Sequence, residues 1–250
     1  MSIINKIRES VVTKWILLYH TFFFILGSYL LLQIVFTSLM FLFFKPASDT
    51  VIEIHGFYIE IDGITYQIWD LPEFYMAIMV STVLIFGLVY FITWLSVKKR
   101  PLWYLGFRPM SMEFFVWFIY ITAVLGIGII IKEYVIKSTE VLIRVVTLKE
   151  KIMLIAGLGL FAPFVEELIF RGYLISRMDD FLNDKKRWIT VVVSSLLFAG
   201  FHFQYNLAEL GYIFVIGVFL AMMRLKTGSI WFPILFHVLG NLYAVSLILA

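Results

Sequence analysis

The chain has no cysteine among its 250 residues. That excludes disulfides, thiolate metal sites and cysteine nucleophiles. Charge is scarce too: Asp, Glu, Lys and Arg make up 15% of the residues, against about 25% in soluble domains. Hydrophobic residues reach 62% and aromatic ones 18%. Such a chain has too little polar surface to cover a water-soluble globule, so lipid is the solvent it implies. The net charge of +3 is small and gathers in clusters that read as orientation signals. It offers no nucleic-acid patch.

What is present is a series of apolar stretches near the roughly 20 residues needed to cross a bilayer. No Asp, Glu, Lys or Arg falls between Lys14 and Lys45. That gap is too long for a signal-peptide core, so it predicts a retained first helix. Residues 46–73 are rich in β-branched and aromatic residues, with Asp62-Gly63 between two such runs. They predict a small extramembrane β-hairpin. Further spans are expected at Phe74–Val97, Phe114–Ile131, from Lys151 to at least Arg171, Trp188–Gln204, Leu210–Met223 (the shortest) and Ser229 to the C-terminus. Residues 132–150 read as a mixed-charge connection. The expected fold is thus an all-α transmembrane bundle of about seven spans, with an N-terminal membrane region (1–150) and a C-terminal core (151–250).

Cations fill alternate loops: Lys6, Arg8 and Lys14; Lys98, Lys99, Arg100 and Arg108; Arg177, Lys185, Lys186 and Arg187; Arg224 and Lys226. Acidic residues such as Asp49, Glu53, Glu60, Asp62 and Glu209 fill the others. The positive-inside rule then puts the N-terminus in the cytoplasm and the C-terminus outside.

Ionisable groups inside spans are costly and are functional candidates by default. Few exist here. The fourth span carries Glu166, Glu167 and Arg171, the fifth His202, and the seventh His237 and Asn241. Glu167 and Arg171 are four apart, share a helix face and suit a bidentate pair. Glu166 lies about 100° around the helix. It has no local cation and suits general-base work. Pro163 removes a helix hydrogen bond just before the pair. His237 and Asn241 also share a face. The imidazoles of His202 and His237 could bind a metal such as zinc, with Glu166 as base or ligand. Otherwise Glu166 and a histidine could activate water while His237 and Asn241 stabilise an oxyanion. Either use ends in hydrolysis of an acyl bond. Glu167–Arg171 alone reads as structural, as do His20 and His55. His-Glu-x-x-His, a transmembrane Asp pair and a Gly-x-Ser-x-Gly setting are all absent from the sequence. The main rival is a polar transport pathway, but no paired repeat supports it.

Glu-Glu-x-x-x-Arg, Phe-x-x-x-His and His-x-x-x-Asn on successive apolar segments resemble the CAAX protease and bacteriocin-processing (CPBP, or Abi) family over about residues 150–245. Leu105-Gly106-Phe107-Arg108 is similar to an element found ahead of that family's core. The resemblance implies Glu166 as catalytic base and His202 acting with it. It implies Glu167 and Arg171 as the supporting pair, and His237 and Asn241 as the oxyanion-facing or metal-facing part. It also implies an endopeptidase acting on a membrane-associated peptide or protein at the bilayer, with bacteriocin self-immunity or a membrane scaffold as the alternative. The cationic loops and lack of cysteine fit a bacterial inner membrane. The substrate is then a leader peptide, pheromone precursor, bacteriocin or membrane anchor.

Overall fold

The computed structural model describes residues 3–43, three strands within 52–67, residues 72–110, a few positions between 116 and 126, and residues 147–182 and 186–249. Helix α1 is Ile3–Phe43 and α2 is Pro72–Val97. A four-residue α3, Pro101–Tyr104, follows. The C-terminal part holds α4, Leu148–Asp179, α5, Arg187–Gly200, α6, Leu207–Thr227, and α7, Trp231–Leu249. Five helical stretches are long and apolar enough to cross a membrane: Val12–Leu39, Glu73–Val97, Leu148–Asp179, Leu207–Thr227 and Trp231–Leu249. The chain is a multi-pass membrane protein. Large apolar side chains such as Leu17, Phe24 and Val83 are exposed on these helices, as expected of a surface wetted by lipid.

The count of seven spans is not reached among the described residues. The expected third span and the segment 132–150 lie almost wholly outside them. The expected fifth is the 14-residue α5, too short to cross. It ends before His202 because the chain turns at Phe201, with His202 N–H bonded to the Ala199 carbonyl. The expected short sixth span is instead the 21-residue α6. Its start is extended by a capping box, in which Asn206 caps Glu209 N–H and Glu209 caps Asn206 N–H. Gly228 ends it at φ 69°, the left-handed conformation that glycine adopts without cost. The segment read as a hairpin holds three strands, β1 (Ile52–His55), β2 (Tyr58–Ile61) and β3 (Ile64–Gln67). They pair antiparallel in that order, with Glu53 opposite Glu60 and Ile61 opposite Ile64.

Contacts divide the chain into two units: residues 1–26, 87–139 and 166–237, and residues 27–86, 140–165 and 238–250. In the first, α5 packs on α6 across Gly217, where an added Cβ would lie 3.1 Å from Ser195 Cβ. Leu220, Met223, Phe232 and Phe236 form an apolar cluster there. The Leu105–Arg108 loop is pinned to the start of α7: Gly106 O accepts Ile230 N–H at 2.8 Å, and Ser229 Oγ donates to Arg108 O at 2.8 Å. Gly106 has φ +90°, and a Cβ there would lie 2.6 Å from the Arg224 guanidinium. In the second unit Tyr75, Ile78, Met153, Leu154, Ala162 and Val245 form the core. Gly157 packs directly on Tyr75.

Helix α4 is not a uniform α-helix. Thr147 and Glu150 form the capping box that starts it. Ile155–Phe161 and Leu168–Leu174 are π-helical, and Ala162–Glu167 between them is α-helical. Both π segments close with i→i−5 bonds, Ala162 N–H to Gly157 O and Ile175 N–H to Phe170 O. Such segments concentrate at functional sites.

Candidate active site

Glu166 and Glu167 occupy the α-helical island between the two π segments. The described contacts bring together Glu166, Glu167, Arg171, His202 and His237. Glu167 and Arg171 are fully buried, and Nη1 of Arg171 donates to Glu167 Oε1 at 2.9 Å. The expected bidentate pairing is corrected here. The bond is single, because Nη2 of Arg171 turns to the Gly217 carbonyl at 3.2 Å. The guanidinium also lies 4.1 Å above the Phe198 ring. A cation over an aromatic face in a dry interior gains attraction that water would screen.

Glu167 has a second partner that spacing along one helix could not show. Its Oε1 also accepts Nδ1 of His237 at 2.9 Å. Nδ1 of His202 lies 2.8 Å from the Phe198 carbonyl, which can only accept, so this nitrogen donates. With Nδ1 committed as a donor in both rings, a neutral imidazole has only a lone pair at Nε2. Both Nε2 atoms face Glu166 Oε2, His237 at 3.7 Å and His202 at 3.8 Å. These distances are too long for direct hydrogen bonds. They suit a water bridging the groups. Oε2 of Glu166 has no hydrogen bond to a described residue, and its side chain is only 14% exposed. The cluster therefore holds one half-screened carboxylate and two oriented lone pairs, converging from α4, the turn after α5, and α7.

His202 meets Glu166 although the sequence places it far along its segment. The reason is that α4 continues to Asp179. Glu166 and His202 then lie at comparable distances, about 20 Å at 1.5 Å per residue, from the connection between α4 and α5.

No described contact joins Asn241 to this group. It falls in the second unit, where its Nδ2 donates to the Leu158 carbonyl at 2.9 Å. The chemistry of α4 explains that bond. The α-helical partner of Leu158 O would be Ala162 N–H, which bonds Gly157 O instead. Its π-helical partner would be Pro163, which has no N–H. Asn241 supplies the hydrogen that Pro163 lacks.

Two residues outside the expected set organise the site. Phe198 is 2% exposed. Its ring meets His202 edge-on at 4.8 Å and His237 at 5.6 Å, beneath the Arg171 guanidinium. Its position four residues before His202 was the available signal. Gly217 supplies the second acceptor for Arg171, and no ionisable neighbour marks it in the sequence. Among the described residues, no group of three or more His, Cys, Asp or Glu side chains is placed to hold a metal ion.

Residues 148–243 match the family model described as type II CAAX prenyl endopeptidase Rce1-like. The CAAX-protease resemblance of the C-terminal segment is thereby shown. It suggests a membrane endopeptidase, and all five converging residues fall within the matched CAAX-protease-like segment. The chain is also 28% identical over 92 residues to an uncharacterized 24.3 kDa protein of Escherichia coli. That alignment covers 36% of this chain and 42% of the relative's length. No solved structure matches.

Proposed function

We propose that the protein is an intramembrane endopeptidase that hydrolyses a peptide bond in a membrane-associated peptide or protein, with Glu166 as general base. The observation that carries this is the convergence of Glu166 Oε2 with Nε2 of His202 and His237 at 3.7–3.8 Å. A water among the three acceptors donates its hydrogens to two of them and presents its own lone pair outward. Glu166 takes a proton as the water oxygen attacks the scissile carbonyl carbon. The proton then passes to the leaving amine. His202 and His237 hold the water and share the proton. Glu167 orients His237, and Arg171 pairs with Glu167 from the other side. Asn241 keeps the chain around Pro163 satisfied.

The substrate is of the leader-peptide, pheromone-precursor, bacteriocin or membrane-anchor kind. The chain sits in a bacterial inner membrane with its N-terminus cytoplasmic. Reporter fusions at Arg100 and Asp62 should report opposite sides. The decisive experiment compares processed membrane peptides in cells carrying wild type or Glu166→Gln. Products should vanish in the variant while the protein still accumulates. Unchanged processing would refute the mechanism. Chelation by EDTA should leave turnover unchanged, and loss of activity that zinc restores would replace the water mechanism by a metal one.

A further inference from the structure

A second group of cations gathers at the far end of α6. Arg224 follows Gly217 by seven residues, about 10 Å along the helix. It is buried. Its Nη2 donates to Ser176 Oγ at 3.1 Å, while Nε and Nη1 make no hydrogen bond to a described residue. Arg108 reaches the same place from the loop after α3. Its Nε donates to the Trp103 carbonyl at 3.3 Å, and its guanidinium lies 5.3 Å over the Trp103 ring. Its two terminal nitrogens keep no partner among the described residues. The two side chains interlock across two glycines. The Arg224 guanidinium lies 2.6 Å from where a Cβ on Gly106 would stand, and Arg108 Nη1 lies 3.4 Å from the same point on Gly228. Nearby carboxylates are taken: Asp179 accepts Arg187 Nε and Nη2 at 2.9 and 3.2 Å, and Asp180 accepts the Tyr104 hydroxyl.

We propose that Arg108 and Arg224 form a binding site for a phosphate group, supplied by the headgroup of an anionic phospholipid. Two guanidinium groups brought together with no carboxylate between them repel each other, and a buried one without a counter-charge in contact is costly. An anion from outside the chain relieves both. Phosphate suits the pair because guanidinium forks meet its oxygens in paired hydrogen bonds. The place in the fold names the source. One membrane helix ends at Thr227 and the next begins at Trp231, so the pair sits at headgroup depth. Trp103 and Trp231 are half-exposed beside it, and tryptophan marks that depth. Phe107 braces Trp231 edge-on at 5.4 Å. Exposed Lys98, Lys99 and Arg100 precede the same loop and add to the positive potential that draws anionic lipid. No step of the hydrolysis runs through this site.

Its test needs no turnover and so stands apart from the endopeptidase reading. The full-length chain, purified in neutral detergent, is titrated with dioctanoyl phosphatidylglycerol, dioctanoyl phosphatidylcholine and inorganic phosphate. Native mass spectrometry counts the bound lipid. One phosphatidylglycerol per chain should bind about tenfold or more tightly than phosphatidylcholine and should raise the melting temperature. Arg108→Gln should weaken phosphatidylglycerol about tenfold or more, as for loss of a hydrogen bond between charged groups. The double change Lys98→Gln with Lys99→Gln should alter its affinity less than twofold. Equal binding of the two lipids, or equal losses in the arginine and lysine variants, means diffuse attraction to a cationic surface and overturns the site. Unchanged affinity in Arg108→Gln overturns it as well. A melting temperature raised as far by inorganic phosphate as by phosphatidylglycerol overturns the lipid as the source of the phosphate. If Arg108→Gln does not accumulate, the three wild-type titrations decide alone.

Discussion

Two arginines are buried in the same contact unit, and they are held in opposite ways. Arg171 has a carboxylate at 2.9 Å, a backbone carbonyl and an aromatic face. Arg224, 7% exposed, makes no direct ion pair with a described residue and feels Asp179 only at longer range. Its Nη2 bonds the Ser176 hydroxyl at 3.1 Å, its guanidinium lies against Gly106, and its charge sits in the last turn of α6, where the helix dipole favours a cation. The difference teaches what each charge is for. A cation that closes a helix and pins a loop is hydrogen-bonded by a neutral group, with Asp179 at longer range. A cation that holds the carboxylate on which His237 rests is in direct contact with that carboxylate, and with Glu166 nearby the first centre sets two carboxyl groups against one guanidinium.

That contrast can be broken in stages. The largest effect should come from Glu166→Gln, which leaves every described hydrogen bond in place. Peptide cleavage should drop by about 10²–10⁴-fold, the range for positioned acid–base catalysis. The melting temperature in detergent should hardly change. Arg224→Met should leave cleavage close to wild type, and equal losses in both variants would erase the distinction between the centres. Next comes Arg171→Met. It leaves Glu167 buried without its cation, at about 3–5 kcal/mol, measured by denaturant unfolding in micelles. Glu167→Gln added to it should recover much of the stability but not the cleavage, since His237 then loses its anionic acceptor.

At the second centre, Gly106→Ala sets a methyl group 2.6 Å from the Arg224 guanidinium at a φ of +90°. The strain is about 1–3 kcal/mol, read as a lower melting temperature. Arg224→Ala in the same chain should relieve the clash and leave only the backbone part. The smallest effect concerns Tyr104, whose hydroxyl donates to Asp180. Burial first, and then the bond to Asp180, raise its titration above the usual tyrosine value. The folded state therefore holds this proton more tightly than the unfolded one. Its stabilising contribution is complete below about pH 10, the ordinary tyrosine value, and is lost as pH rises further. Tyr104→Phe should flatten the fall in melting temperature above about pH 10.

How much of this was legible beforehand depended on the range of each contact. Apolar runs and loop cations announced a multi-pass helical protein. The rarity of ionisable groups in those runs singled out Glu166, Glu167, Arg171, His202 and His237. Spacing along one helix gave the Glu167–Arg171 pair but could not reveal that Glu167 also holds His237, which is distant in sequence. It gave Pro163 as a disturbance but not the answer to it, because the answer is an amide on another helix. Phe198 showed only as the first residue of the Phe-x-x-x-His motif, and Gly217 went unseen, because they act through a ring face and a carbonyl, which any apolar or small residue carries without distinction. Helix length misled most where a cap or a turn overrode hydropathy, at Asn206–Glu209 and at Phe201.

The two π segments make α4 a vernier. Each holds one residue more than an α-helical ladder would need, so each can revert to plain α-helix by giving up a single residue. A deletion within Ile155–Phe161 should be absorbed as a continuous helix, rotating the preceding turns by about 100° and drawing them in by about 1.5 Å. The Pro163 defect would then lose the amide that answers it, while Glu166 and Glu167 would keep their mutual phase. A deletion within Leu168–Leu174 would do the reverse. It would turn Arg171 away from Glu167 and leave the Leu158–Asn241 bond intact. Length changes of one residue in this helix are thus phase changes, and the Leu158–Asn241 bond and the Glu167–Arg171 pair should answer to different ones.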